Sequence, residues 1–275
     1  MEGRMNMSEF WKNINTYYKR YGLHATIVRI MDKLTGQSRV DYMTWYQKTK
    51  PTKQVLKIQR ETTFPYMPEI LVIVLENKSG FHRLADSLKN QTYSRWKLCK
   101  IRELNDVVEI LKEAKEEYVL ITQPEDELSV DAFFQCVKSL NADRTIEAIY
   151  SDDDIIKNET EYEEPAMKPD LNLDMLRSCN YIHNFLLVKK KLCQELFEEC
   201  LESWNGQIDW KYDFIFRCIE EKRSIHHIAK VLYHRNVEHV QVCDEQERKA
   251  IDMHLKRMNI KGNVEKTEYR GIYRV

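Results

Sequence analysis

The sequence predicts an α/β fold with a mostly parallel central sheet flanked by helices, preceded by a helical N-terminal extension. A continuous apolar run, ILVIVL at 70–75, has the β-branched composition of a strand buried on both faces of a parallel sheet. Further along the chain, strand-like runs alternate with segments whose apolar residues recur at helical spacing, which is the order of right-handed βαβ units. With 275 residues, the chain can bury a full core without disulfides or metal ions.

The predicted elements follow one another at regular spacing. Strands are predicted at 70–75, 96–101, 118–122, 146–150, 185–190 and 227–234. Helices are predicted around 81–88, 107–114, 132–140, 190–201, 210–221 and 251–258. We expect Ser129 to cap the third of these helices. The sequence therefore predicts one α/β domain, 65–275, after an extension, 1–64.

Composition excludes several function classes. The formal net charge is −1, which does not suit a nucleic-acid-binding protein. Only seven residues are glycine, and neither GxGxxG nor GxxxxGK[ST] occurs, so Rossmann dinucleotide binding and P-loop chemistry are not expected. The seven cysteines form no CxxC pair, which indicates buried, reduced thiols. The sequence has neither an apolar run of ~18–20 residues nor the apolar core of a signal peptide, so a cytoplasmic location is expected.

The N-terminal extension is strongly basic. Residues 1–60 contain twelve Lys and Arg against four Asp and Glu, a net charge of +8. Its apolar residues recur at helical spacing: Ile14, Tyr17, Tyr18, Tyr21, Ile27, Ile30, Met31 and Leu34. A basic helix with such a stripe suits an anionic membrane surface, here the inner face of the plasma membrane. The alternative is that the stripe packs on the main domain or on a partner chain.

Two acidic clusters follow two of the predicted strands. Glu125 and Asp126 come after the strand at 118–122, and Asp152 and Asp154 come after the strand at 146–150. Because ligands of open α/β sheets bind at the carboxyl ends of the strands, these carboxylates could hold a hard divalent cation and leave positions open for a diphosphate. The alternative is structural, since acids before a helix favour its dipole and acidic turns are common.

Several motifs together give the chain a family resemblance. In order along the chain they are SLKNQTYSRWKLCKI, EDELSVDAFFQCVKSL, IYSDDDII, PAMKPDLNLDMLRSCNYIHNFLLVKK, YDFIFRCIE and HIAKVLYHR. Over about residues 40–275 the sequence resembles glycosyltransferase family 2, in the branch that builds rhamnose-containing and related cell-surface polysaccharides. The resemblance implies the GT-A fold and transfer of a sugar from a nucleotide-diphosphate donor to a glycan or lipid-linked acceptor. It also implies Mg²⁺ or Mn²⁺ as cofactor and inversion at the anomeric carbon assisted by a carboxylate base.

The resemblance also assigns roles to individual residues. It places the metal at Glu125 and Asp126, and it makes Asp209 and Asp213 the candidates for catalysis. The predicted donor-binding residues are Asn77, Glu125, Asp126, Asp152, Asp154, Lys168, Asn180 and His234. The terminal TEYRGIYRV is similar to the bridge that leads into a second glycosyltransferase domain in longer relatives. The chain is therefore expected to be either one domain of a longer protein or a lone module that works beside a partner transferase.

The chain departs from the family at chemically important positions. The first acid of the metal motif is Gln123, and Lys211 stands where the family has its catalytic base. A protonated lysine is a poor base. Two hypotheses therefore stay open: an active inverting transferase, and an inactive GT-A domain that binds a glycan or a partner protein. Likewise, Asp213 and Arg217 are four residues apart on one helix and could simply form an ion pair.

Overall fold

The computed structural model describes residues 41–75, 81–204, 206–236 and 244–275, together with ten helical residues between positions 14 and 31. The strands are β1 Ile70–Leu75, β2 Trp96–Ile101, β3 Tyr118–Thr122, β4 Glu127–Leu128, β5 Ala148–Ile156, β6 Tyr162–Ala166, β7 Leu186–Lys189, β8 Ile225–Arg235, β9 Glu265–Lys266 and β10 Tyr273–Arg274. The helices are α1 Tyr42–Thr49, α2 Lys53–Glu61, α3 Phe81–Lys89, α4 Asp106–Glu113, α5 Ala132–Ala142, α6 Leu173–Ser178, α7 Lys190–Cys200, α8 Trp210–Glu220 and α9 Asp244–Arg257.

The central sheet has eight strands in the order β2-β1-β3-β7-β5-β8-β4, with β6 paired to β5. Strands β1, β2, β3, β5 and β8 run in one direction. Strand β7 lies antiparallel between β3 and β5, because the chain enters it from the carboxyl edge of the sheet. The α/β class is confirmed, and the sheet that carries it is mixed.

The hydrophobic core lies on both faces of this sheet. Ile70, Val72 and Val74 of β1 pack in the cluster that contains α3 and α5 residues. Leu71 and Ile73 point to the other face and pack with residues of α4, α7 and α8. This period of two within one apolar run is what a strand covered on both faces requires.

Two local predictions need correction. The strand predicted to end at residue 150 continues to Ile156, so the acidic residues 152–154 lie within β5, not in a turn after it. Their burial is tolerated because each carboxylate has a charged or hydrogen-bonding partner. Ser129 does not cap α5: its hydroxyl contacts Val231 O and His234 Nε2 at 3.1 Å, and the N-cap position belongs to Asp131.

The second part of the predicted extension packs on the α/β domain. Thr52 caps α2 by accepting a hydrogen bond from Val55 N at 3.3 Å. On the same helix, Gln59 is buried and donates to Asp131 Oδ2 at 3.1 Å. It also accepts a hydrogen bond from Thr92 Oγ1 at 3.0 Å. The boundary predicted at residue 64 is thus crossed by buried polar contacts.

Other sequence-based expectations concern thiols, membranes and the apolar stripe. Among the residues with described positions, six cysteines are free, and four of them are buried. No helix within the described ranges is long and apolar enough to cross a bilayer. Within the predicted stripe, Tyr18, Ile27 and Met31 are exposed. Tyr21 and Leu34 lie outside the described residues.

Replacement of Gln59 by alanine should weaken the docking of α2. Because the Gln59→Ala change removes two buried hydrogen bonds, we expect a loss of about 1–3 kcal/mol in the free energy of unfolding, measured with urea. The matched control is Lys57→Ala on the same helix, whose side chain is 76% exposed and whose replacement should cost less than about 0.5 kcal/mol. Equal losses in the two variants would contradict a docked α2.

Candidate functional site

Asp126 is the centre of a polar cluster just beyond the carboxyl end of β3. Its side chain is 1% exposed. Its Oδ2 accepts hydrogen bonds from the Tyr233 hydroxyl and, at 3.1 Å, from Asn184 Nδ2. Its Oδ1 accepts a hydrogen bond from Asn236 N at 2.8 Å. Burial raises the pKa of this carboxyl, against the lowering effect of these hydrogen bonds and of Lys211.

Lys211 joins this cluster from the first turn of α8. Its Nζ donates to Asn184 Oδ1 at 3.2 Å, while the amide nitrogen of Asn184 faces Asp126. Burial lowers the pKa of the Lys211 ammonium, and Asp126 and Asp209 oppose that shift. Lys211, Asn184 and His183 are polar members of the lining of a cavity of about 30 Å³ between β3, β7, α7 and α8. Most of the remaining wall is apolar, so charges in this cavity are weakly screened.

Asp153 of β5 is the most densely bonded acid of the site. Its Oδ2 lies 2.7 Å from Lys168 Nζ and 2.9 Å from His183 Nδ1, and its Oδ1 lies 3.0 Å from Arg235 Nε. These three neighbours outweigh the burial of the carboxylate and hold its pKa well below the usual range. The predicted donor-binding residue Lys168 is thus committed to a buried ion pair and to Ile182 O at 2.8 Å.

The neighbours of Asp153 in the strand also have histidine partners. Asp154 Oδ1 lies 2.5 Å from His234 Nδ1, and Asp154 Oδ2 accepts a hydrogen bond from the Tyr42 hydroxyl at 2.6 Å. Nε2 of His234 contacts Ser129 Oγ and Tyr46 Oη, each at 3.1 Å. Asp152 Oδ1 lies 2.9 Å from His227 Nε2 and accepts a hydrogen bond from Lys168 N at 2.8 Å. Both nitrogens of His234 are therefore engaged within the protein.

The two residues predicted to act in catalysis occupy different environments. Asp209 caps α8, accepting a hydrogen bond from Tyr212 N at 3.0 Å, and burial raises its pKa. Asp213 is fully buried. Its Oδ2 lies 2.9 Å from Arg217 Nε, the ion pair expected from their spacing, and its Oδ1 lies 2.8 Å from an Arg257 guanidinium nitrogen. Asp209 thus borders the Lys211 cluster, and Asp213 ties α8 to α9.

The remaining predicted residues are distributed around this centre. Asn180 Oδ1 accepts a hydrogen bond from His183 N at 3.3 Å and supports the loop that carries His183 and Asn184. Glu125 is partly exposed beside Asp126, and Asn77 lies outside the described residues. His183 and Asn184 have no predicted role, although they line the cavity. The backbone of His183 has φ 60°, a left-handed conformation that a single sequence does not reveal.

The residues at hand do not fit the divalent cation that the resemblance implies. Within the described ranges, no three His, Cys, Asp or Glu side chains converge as metal ligands. Both oxygens of Asp126 accept hydrogen bonds from the protein. Both ring nitrogens of His234 are engaged as well. The three hydrogen bonds to Asp126 leave about one of its four lone-pair sites for a metal ion, and His234 offers no free nitrogen.

Comparison with known proteins returns two curated relatives. The uncharacterized protein y4gI of Sinorhizobium fredii is 32% identical over 246 residues, which is 74% of this chain and 26% of that protein. The O-antigen biosynthesis protein RfbC of Myxococcus xanthus is 26% identical over 181 residues, which is 65% of this chain and 13% of RfbC. The chain therefore spans about a quarter or less of each relative's length. No family model matches the sequence. The match to RfbC confirms the predicted resemblance to proteins of cell-surface polysaccharide assembly.

Solved structures with a similar chain path include S. aureus TarS and a mannosyltransferase of Pyrobaculum calidifontis. S. aureus TarS has a TM-score of 0.48 and 11% identity, over 69% of this chain and 39% of that one. TarS 1–349 in complex with UDP-GlcNAc has a TM-score of 0.47 and 12% identity, over 68% and 66%. The mannosyltransferase PcManGT of Pyrobaculum calidifontis, in complex with GDP-Man and Mn²⁺, has a TM-score of 0.47 and 15% identity, over 76% and 70%.

The Asp153 cluster predicts a specific pH dependence of stability. Burial, with the nearby Arg235, lowers the pKa of His183 to about 4, from an ordinary value near 6.5. Between these pH values the unfolded chain binds a proton that the folded chain does not. His183 therefore makes the free energy of unfolding fall as the pH drops, by up to ~1.4 kcal/mol per pH unit.

Urea unfolding at pH 7, 5.5 and 4.5 measures this slope. We expect His183→Asn to flatten it relative to the unmodified chain, because asparagine tolerates the left-handed backbone and does not titrate there. The control His82→Asn, at an exposed position of α3, should keep the original slope. Identical slopes in all three proteins would refute the assignment to His183.

Proposed function

We propose that this chain is a glycosyltransferase module of cell-surface polysaccharide assembly, which transfers a sugar from a nucleotide-diphosphate donor to a glycan or lipid-linked acceptor. The observation that carries the proposal is the cluster of Asp126, Asn184 and Lys211 at the carboxyl edge of the sheet. This is where ligands of open α/β sheets bind. The order of the sequence motifs and the match to RfbC support the same function.

The cluster offers the chemistry that such a donor requires. A diphosphate needs N–H donors or a cation, which Lys211 supplies at the cavity. The adjacent Trp210 also lines the cavity and offers an aromatic face of the kind on which sugars and bases pack. Asn184 lies between Asp126 and Lys211. Because its amide nitrogen donates to Asp126, its amide oxygen faces the ammonium of Lys211.

The acceptor hydroxyl must lose a proton as its oxygen attacks the anomeric carbon. Asp209 is the proposed base, because burial raises the pKa of its carboxyl and so makes it a stronger base. Its cap contact to Tyr212 N uses one carboxylate oxygen at 3.0 Å and fixes the group at the start of α8. Glu247 lies close enough to interact electrostatically with Asp209, and burial raises the pKa of Glu247 to about 7.

Release of nucleoside diphosphate from a panel of UDP-, TDP- and GDP-sugars tests the proposal. With a crude lipid-linked glycan fraction as acceptor, we expect release above the buffer rate for at least one donor. Asp209→Asn should lower that rate by about 10²–10⁴-fold, the usual contribution of a general base, without loss of donor binding. Asp174→Asn is the matched control, since that side chain is 94% exposed on α6.

Absence of release with every donor would overturn the transferase proposal. The remaining hypothesis would then be an inactive domain that binds a glycan or a partner, which the comparisons do not support. The paired substitutions Gln123→Asp and Lys211→Asp restore the acids of the family pattern. A gain of turnover in that double variant would identify the native chain as a transferase that has lost activity at those two positions.

The membrane partner of the extension also belongs to this proposal. Gly22 and Thr26 are buried, while Leu23, Ile27 and Met31 are 63%, 50% and 58% exposed. The exposed residues follow one another at intervals of four and form one helical stripe. With the net charge of +8 on residues 1–60, this stripe suits the surface of an anionic bilayer, where lipid-linked acceptors lie.

Flotation with vesicles of phosphatidylglycerol and phosphatidylcholine measures this contact. We expect the double variant Leu23→Asp, Ile27→Asp to reduce vesicle binding at least about tenfold. The change removes two apolar side chains that would insert into the bilayer and adds two negative charges that the anionic lipids repel. Ile58→Asp, at an apolar position of α2 that is 56% exposed, controls for loss of surface hydrophobicity in general. Unchanged flotation of the double variant would exclude the stripe as the membrane contact.

A further inference from the structure

We propose that the Lys211 ammonium is the fixed cation that binds the diphosphate of the sugar donor, so that donor binding needs no divalent metal ion. This inference rests on the proposed function and specifies how its site holds the donor.

Lys211 has unused donor capacity at the cavity. An ammonium has three N–H groups, and Asn184 Oδ1 at 3.2 Å is the one hydrogen-bond acceptor that it has within the described part of the chain. Two N–H groups are therefore available to a ligand. Burying a charged lysine with so few hydrogen-bond partners costs folding free energy, and a bound anion would offset that cost.

The carboxylates of Asp126 and Asp154 are largely committed to hydrogen bonds within the protein. Asp126 accepts three hydrogen bonds, and one of them comes from the amide that also holds Lys211. Asp154 is held by His234 and Tyr42. What remains directed at the cavity is a donor, Lys211, and not a set of oxygen ligands. A diphosphate at this point meets the Lys211 ammonium, whereas Asp126 and Asp209, which act on the charge of the same lysine, are not among the residues that line the cavity.

The cavity walls strengthen an anion contact at Lys211. Trp210 and Phe214 flank it on α8, and Val119 and Ile121 close it from β3. Coulomb attraction in such an apolar environment is screened less than in water, although removing the anion from water offsets part of that gain. The bound anion would also raise the pKa of Lys211, opposing the lowering by burial, and so keep the ammonium charged.

In this position Lys211 would stabilise the leaving group of the transfer reaction. The acceptor oxygen forms a bond to the anomeric carbon while the bond from that carbon to the diphosphate oxygen breaks. The electron pair of the broken bond goes to the leaving diphosphate, whose added charge Lys211 offsets, and the acceptor proton goes to the carboxylate base. Lys211 thus stabilises charge that grows during the reaction.

Calorimetric titration of UDP, TDP and GDP tests the proposal in the full chain, once with EDTA and once with Mn²⁺. We expect at least one nucleotide to bind, with a Kd that differs less than about threefold between the two conditions. Lys211→Met keeps the length of the side chain and removes its charge, and it should raise that Kd about 10–100-fold. Lys211→Arg should recover most of the affinity, and Lys191→Met, 82% exposed on α7, should match the unmodified chain.

Thermal unfolding of each variant separates a lost contact from a lost fold. Because Lys211→Met replaces a buried charge with an apolar group, its Tm should equal or exceed that of the unmodified chain. Binding that requires Mn²⁺, or binding that Lys211→Met leaves unchanged, would overturn the lysine proposal and leave the transferase proposal standing. No binding of any nucleotide in either condition would overturn both.

Discussion

The buried carboxylate of Asp153 is the contact on which the architecture of the site depends. It is fully buried in β5 and contacts three side chains from three other parts of the chain: the cations of Lys168 and Arg235 and the imidazole of His183. Those residues come from the segment after β6, the loop before β7 and the end of β8. One carboxylate therefore positions three segments that are remote in sequence. Removal of the acid would leave Lys168 and Arg235 without their counter-charge in the interior, which is strongly unfavourable.

The loop at residues 183–184 transmits this constraint to the proposed donor site. His183 holds Asp153 with Nδ1, and its left-handed backbone at φ 60° turns the chain so that the next residue faces Asp126. The side-chain amide of Asn184 then bridges Asp126 and Lys211, donating a hydrogen bond to the first and accepting one from the second. Because His183 and Asn184 are consecutive, the two charge clusters cannot rearrange independently. The strained residue lies between them, as expected where a fold maintains a costly conformation for a specific geometry.

Most of the fold was predictable from the sequence because apolar periodicity is a local signal. The strands at 70–75, 96–101 and 118–122 match the predicted ranges, and α8 matches to within one residue. The length of β5 was not predictable in the same way, because three consecutive aspartates indicate a solvated turn. The three aspartates can be buried in a strand because Lys168, His227 and His234, which are distant in sequence, contact their carboxylates. The sequence order of these partners gives no sign that they converge on one strand.

The candidate site shows the same division between local and tertiary information. Asp126 could be selected because it follows a predicted strand, and Asp209 was selected through the family resemblance. Asn184 could not, because an asparagine carries no signal of chemistry until its two neighbours are known. Lys211 was identified only as a departure from a family pattern, and its meaning changes once its surroundings are known. A lysine in water is a poor base and an ordinary surface charge, whereas Lys211 lines a mostly apolar cavity and has one hydrogen-bond acceptor among the described residues, so it can donate to a ligand. The substitution that argues against catalysis by a base at position 211 is therefore the same one that supplies charge for the leaving diphosphate.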